Sequence, residues 1–153
     1  MNVQIVHLRR LMLAAVTAVA IMSIAGAALA AGSSLSLEVK GQYAKRHEKA
    51  CGKSARFRLL HRRSTIEFRG FLVPPTGRHF NVRVELKRCV RGAWKDAGSL
   101  FTVGKKTTGK YKAFTAARTL APRSHRRKAI AFYKARSVTA GAISPEAYFA
   151  VTN

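Results

Sequence analysis

Between Asn81 and Gly92 the chain alternates apolar and charged side chains. Val82, Val84 and Leu86 fall on one side of an extended backbone, and Arg83, Glu85 and Lys87 fall on the other. A period of two predicts a strand with one dry face and one wet face. The same pattern recurs. "SSLSLEVKG" sets Leu35, Leu37 and Val39 against Ser36, Glu38 and Lys40. In "STIEFRGFLVP", Ile66, Phe68 and Leu72 alternate with Glu67, Arg69 and Phe71. Gly70 inside that run predicts a bulge or a close backbone approach. "YAKRHEKACGKSA" is polar and irregular and reads as a loop, with a short extended "RFRLL" after it. Arg91-Gly92 marks a turn, and "AWKDAG" and "SLFTVG" read as two short extended pieces. Gly109 marks another turn, before a strand carrying Tyr111 and Ala113. "AIAFYKARSV" and "AYFAVT" read as the last two strands.

About seven strands separated by turn signals at roughly ten-residue intervals predict an all-β fold, a single antiparallel β-sandwich. No internal repeat is present, so the chain reads as one module. Trp94, Tyr111, Phe132 and Tyr133 read as residues in or beside the core.

The first thirty residues follow a different rule. Arg9 and Arg10 precede a charge-free apolar run from Leu11 to Ala28, and Ala28-Leu29-Ala30 has the small-x-small form of a signal-peptidase site. This predicts a helical signal peptide over 1–30, cut between Ala30 and Ala31, ahead of a domain over 31–153. Kept in place, the same run would be a short membrane anchor. Once it is removed, no membrane span is expected. The residues after the Arg pair fit a twin-arginine export signal poorly.

Charge changes the picture most. The 153-residue chain has a formal net charge of +23, and removing Arg9 and Arg10 lowers it to +21. Such a field keeps a small domain soluble and attracts polyanions or anionic surfaces. The two cysteines, Cys51 and Cys89, both follow the leader and would meet an oxidising compartment. A disulfide between them is the simplest reading. Two buried thiols, or a metal site using His47 or His61, are the alternatives, and the second lacks the paired ligand spacing of a structural zinc site.

A further likeness rests on an ordered set of residues: Phe68-x-Gly70, Pro74-Pro75, Gly77, Val82-x-Val84-x-Leu86, Gly92-x-Trp94, Gly109-x-Tyr111, Pro122 and Phe132-Tyr133-x-Ala135. This order resembles the immunoglobulin-like and fibronectin III-like β-sandwich domains of secreted bacterial proteins. The resemblance covers about Ile66 to Val151 and implies a fold and an extracellular or envelope address, with no particular chemistry. Antibody-type domains carry a cysteine pair on facing central strands. Here Cys51 lies in a polar stretch, so a peripheral staple is expected.

Catalytic chemistry is poorly supplied. After the leader there are one aspartate, five glutamates and four histidines, and three of those histidines directly adjoin arginine. No G-x-S-x-G motif, phosphate loop or dinucleotide glycine pattern occurs. No enzyme, metal or cofactor is expected. The candidate sites are three basic clusters. Arg56, Arg58, Arg62 and Arg63, with His61, form the first. Lys105, Lys106, Lys110 and Lys112 form the second, and Arg123, Arg126, Arg127 and Lys128 the third. Clusters of this density fit an anionic polymer or surface, whether cell wall, polysaccharide or lipid headgroups. Base-reading motifs are absent, so sequence-specific nucleic acid is not expected. A monomer is expected, acting by charge. The competing reading is an accessory module whose charge has no dedicated ligand. A membrane-disrupting effector would call for a basic amphipathic helix, and none is visible.

Overall fold

A computed structural model describes residues 32–123 and 129–153. Positions 1–30, the Ala30/Ala31 junction, Arg126, Arg127 and Lys128 therefore lie outside the described residues. Ser33–Asn153 forms one compact unit. It is nearly all β. The elements are β1 (Ser34–Leu35), β2 (Glu38–Lys40), β3 (Ala44–Ala50), β4 (Lys53–His61), β5 (Thr65–Val73), β6 (Phe80–Val90) and β7 (Ala93–Gly104). They continue with β8 (Lys110–Ala116), the single helical turn α1 (Ala117–Leu120), β9 (Ile130–Thr139), β10 (Ala142–Ile143) and β11 (Ala147–Thr152).

Two sheets share one core. In the smaller, β5 pairs with β8 along one edge and with β1 and β2 along the other. The larger runs β3-β4-β11-β9-β6-β7, with β10 extending the β9 edge. Inward-facing Val39, Ile66, Phe68 and Tyr111 of the smaller sheet meet Val84, Tyr133, Phe149 and Val151 of the larger. The alternation seen in the sequence is what makes this possible: on β6, Val82, Val84 and Leu86 are buried while Asn81 and Arg83 are exposed. Each large apolar side chain removed from water in this way stabilises the fold by about 1.5–3 kcal/mol before entropy is charged against it.

Four sequence expectations need correction. The polar stretch from Tyr43 to Ala55 is not a loop but contains the β3–β4 hairpin. "AWKDAG" and "SLFTVG" are one strand, β7. It carries a bulge at Gly98, where the register shifts from Glu85↔Ser99 to Lys87↔Asp96. "SSLSLEVKG" is two short strands, not one. The large sheet is mixed, because β11 runs parallel to β4, so the fold is not purely antiparallel and has more than seven strands.

The break between β1 and β2 has a local cause. A Cβ placed on Gly70 of β5 would come within 1.9 Å of the Ser36 carbonyl oxygen and 2.6 Å of the Tyr111 hydroxyl. Gly70 is the close backbone approach that its position in the run predicted.

Cys51 and Cys89 form a disulfide with a Cα–Cα distance of 5.7 Å. Two strands lie between β4 and β6, so in a flat sheet these backbones would stand about 14 Å apart. The hairpin tip must therefore curl over the outer face of the large sheet. Beneath it sits a second apolar cluster of Ala50, Phe57, Leu59 and Ala150, with Phe132, Trp94 and Tyr148 packed against it. Phe57 meets Phe132 and Tyr148 edge-on, at centroid distances of 5.0 and 5.6 Å.

Candidate functional site

The β4–β5 loop and α1 meet at one pole of the domain. The Ser64 hydroxyl donates to the His61 carbonyl at 2.6 Å, which tightens the loop, and the Ala117 amide donates to the Ser64 carbonyl at 2.9 Å, which ties α1 to it. Ala117 and Leu120 are buried, so the one-turn helix is anchored by its apolar side and Arg118 is left exposed. Arg62, Arg63 and Arg118, with Ser64 and Thr65, line an open cleft of about 650 Å³. The lining holds three guanidinium groups and two hydroxyls. Such groups accept planar or tetrahedral oxyanions through forked N–H donors.

What sets this cleft apart is where the acids are. Glu38 lies 2.8 Å from Lys40 and 3.1 Å from Arg69. Glu48 pairs with Arg46 and Glu67 with Lys112. Glu85 is held by Arg136 at 2.8 Å and by Arg83, and Glu146 by Lys134. The hydrogen bond from Lys40 holds the Glu38 carboxyl below its ordinary range, helped by Arg69 and opposed by burial. The hydrogen bond from Arg136 does the same for Glu85. Every glutamate among the described residues is thus engaged on a sheet face or at a strand edge. None pairs with Arg62, Arg63 or Arg118.

The predicted clusters divide differently in space. Arg62 and Arg63 enter the cleft, but Arg56 and Arg58 do not. Arg58 bonds Gln42 at 3.1 Å and lies 3.8 Å from Glu38, while Arg56 stands opposite His47 on β3. The end of β4 accounts for the split: Arg56 and Arg58 lie within the strand, on the side away from Phe57 and Leu59, whereas Arg62 and Arg63 lie in the turn beyond His61. His61 stacks on Tyr43 with centroids 4.0 Å apart. Arg123 is exposed in the segment after α1, and the rest of its cluster lies outside the described residues. Lys105, Lys106, Lys110 and Lys112 sit at the opposite pole, because β5 pairs with β8 from Thr65↔Ala116 at the arginine end to Phe71↔Lys110 at the other. Six residues of strand separate the two ends by roughly 20 Å. Arg118 was missed in the sequence because a single arginine in "AARTL" carries no pattern. The helical turn that aims it has no apolar period to read.

On the outer face of the large sheet, Arg83 and Arg136 share the single carboxylate of Glu85, so the charge on this side of β6 is partly paired within the face. No group of three or more potential metal ligands occurs among the described residues. No described helix is long and apolar enough to cross a membrane. No protein-family model matches the chain, and no curated protein sequence matches it significantly.

Proposed function

We propose that this protein is an exported, non-enzymatic domain of the immunoglobulin-like β-sandwich class that binds anionic polymers through the arginine cleft, at or outside the cell envelope. One observation carries the reading. Three arginines converge on one cleft, and every glutamate among the described residues is paired elsewhere. An anionic ligand would relieve the self-repulsion that this arrangement concentrates there.

Support for the fold class comes from the two sheets: β1/β2-β5-β8 lies across the core from β7-β6-β9-β11. The Tyr133 hydroxyl donates to the Leu120 carbonyl at 2.6 Å and ties β9 to the end of α1 inside the core. The curled β3–β4 hairpin is an addition to that plan. The leader pattern and the disulfide support an oxidising, extracytoplasmic address.

A second reading, an accessory module without a dedicated ligand, draws on the scatter of the other cations over both poles and both sheets. One experiment separates the two. Residues 33–153 are loaded on immobilised polyphosphate and eluted with salt. The variants R62Q/R63Q/R118Q and K105Q/K106Q/K110Q remove the same charge. Under the cleft reading the arginine variant elutes at clearly lower salt and its log–log salt slope falls by about 2, three phosphate contacts being lost. Equal elution of the two variants would mean that charge acts diffusely, and would favour the accessory reading.

A further inference from the structure

The pole opposite the arginine cleft carries a different combination of side chains. Phe71 on β5 is 45% and Val103 on β7 56% exposed, and Phe101, two residues along β7 toward the middle of the domain, is 76% exposed. Between these two strands runs β8, whose Lys110 and Lys112 point outward. Two shallow clefts flank β8 and share Lys110, Tyr111 and Lys112. One, of about 290 Å³, is bounded by Phe71, and the other, of about 310 Å³, by Val103 and Lys105. Lys110 Nζ lies 5.8 Å from the centre of the Phe71 ring, and the Thr102 hydroxyl donates to the Lys112 carbonyl at 2.6 Å, which holds β7 against β8. The two clefts thus join Phe71, Val103 and the lysines in one surface, and Phe101 is the next exposed side chain along β7 from Val103.

Two features fix the chemistry of the partner. Lys105, Lys106 and Lys110 take part in no ion pair among the described residues, so the patch asks for negative charge. Phe71, Phe101 and Val103 ask for an apolar medium beside that charge, since large apolar groups exposed together mark an interaction surface. A second copy of this chain supplies no negative charge: each unit carries +21 once the leader is removed, and like fields repel. A soluble polyanion supplies charge without an apolar layer. We propose that this pole docks on the surface of an anionic lipid bilayer. The Phe71, Phe101 and Val103 side chains enter the acyl boundary, and Lys105, Lys106 and Lys110 lie at the headgroups. The arginine cleft, at the other pole, would then face away from the membrane. The docking surface does not depend on what that cleft binds.

The test is cosedimentation of residues 33–153 with vesicles of phosphatidylglycerol and of phosphatidylcholine. Binding is expected to phosphatidylglycerol alone. Losing three surface lysines in K105Q/K106Q/K110Q should weaken it roughly a hundredfold. F71S/F101S should weaken it at least roughly tenfold, and should remove the part that survives high salt. F101S alone, at the more exposed position, gives the same direction should the double variant fold poorly by circular dichroism. R62Q/R63Q/R118Q should stay within about twofold of the parent, on the screening of charges at the far pole. The proposal is overturned if phosphatidylglycerol vesicles are not bound, if F101S binds as the parent does, or if the arginine variant is the one that abolishes binding. It is equally overturned if sedimentation velocity shows a dimer that F101S dissolves, because a second copy would then cover the patch.

Discussion

Cys51, in the two-residue turn of the β3–β4 hairpin, is bonded to Cys89 near the end of β6, across the two strands that separate β4 from β6. The bond closes a loop with a sequence separation of 38. In the chain-entropy description it stabilises the fold by about 4 kcal/mol. Reduction, or C51S/C89S, should lower the unfolding free energy by about that amount, read from urea denaturation with and without reductant. Trp94, the one tryptophan, pairs with Cys89 and packs on the cluster under the hairpin, so its emission should shift to the red as the hairpin lifts. An unshifted emission on reduction would mean that the Phe57 cluster alone holds the hairpin down.

Gly70 should tolerate no side chain. Its missing Cβ is replaced by the Ser36 carbonyl and the Tyr111 hydroxyl, and the first of these is backbone that cannot step aside cheaply. G70A should cost about 3 kcal/mol, in the upper part of the range for overpacking, measured as a fall in the urea midpoint.

Tyr111 should show itself at alkaline pH. Its hydroxyl reaches the Ser36 carbonyl and, at 2.7 Å, Ser137 Oγ, and burial pushes its pKa up from 10.0 to about 12. A raised folded value means that folding favours the neutral phenol. The stabilisation is complete below pH 10 and is lost as pH rises through about 12. Ultraviolet titration should find the Tyr111 phenolate only near the upper end of that window. Y111F should remove this part of the alkaline loss while lowering neutral-pH stability by roughly 1–3 kcal/mol.

On the acid side the sign reverses. The hydrogen bonds from Lys40 to Glu38 and from Arg136 to Glu85 lower those carboxyls below the ordinary 4.5. Their contribution is present above that value and disappears as pH falls through the lowered folded values. The urea midpoint should hold from neutral pH down to about the ordinary carboxylate range, then drop. E85Q should flatten part of the drop.

How far the sequence revealed this molecule can be seen at its two tight hairpins. Both turns use an X-Gly pair in the left-handed region: Arg91-Gly92 at φ 51° and 80°, and Cys51-Gly52 at 48° and 74°. That geometry is what a two-residue hairpin requires. The first was legible because β6 before it alternates cleanly. The second was hidden because β3 has almost no buried face: in "AKRHEKA" only Ala50 is fully buried. An edge strand held by its backbone and a disulfide leaves no period to detect. The same physics explains the candidate site. Runs of basic residues are visible in a sequence, but whether they converge depends on whether each one lies within a strand or in the loop beyond its end. Arg56 and Arg62, six positions apart, end up in different surroundings, whereas Arg62 and Arg118 come together.

The parallel seam between β4 and β11 has a consequence for how the molecule comes into being. Leu60 pairs with Val151, and β11 is also the strand that joins β4 to β9. A partial chain that stops short of β11 has two unconnected halves of its large sheet and an open core. Pairings this distant along the chain form late and slowly. Closure of the large sheet therefore waits on the last strand of the chain, so a polypeptide cut before β11 should not assemble this core.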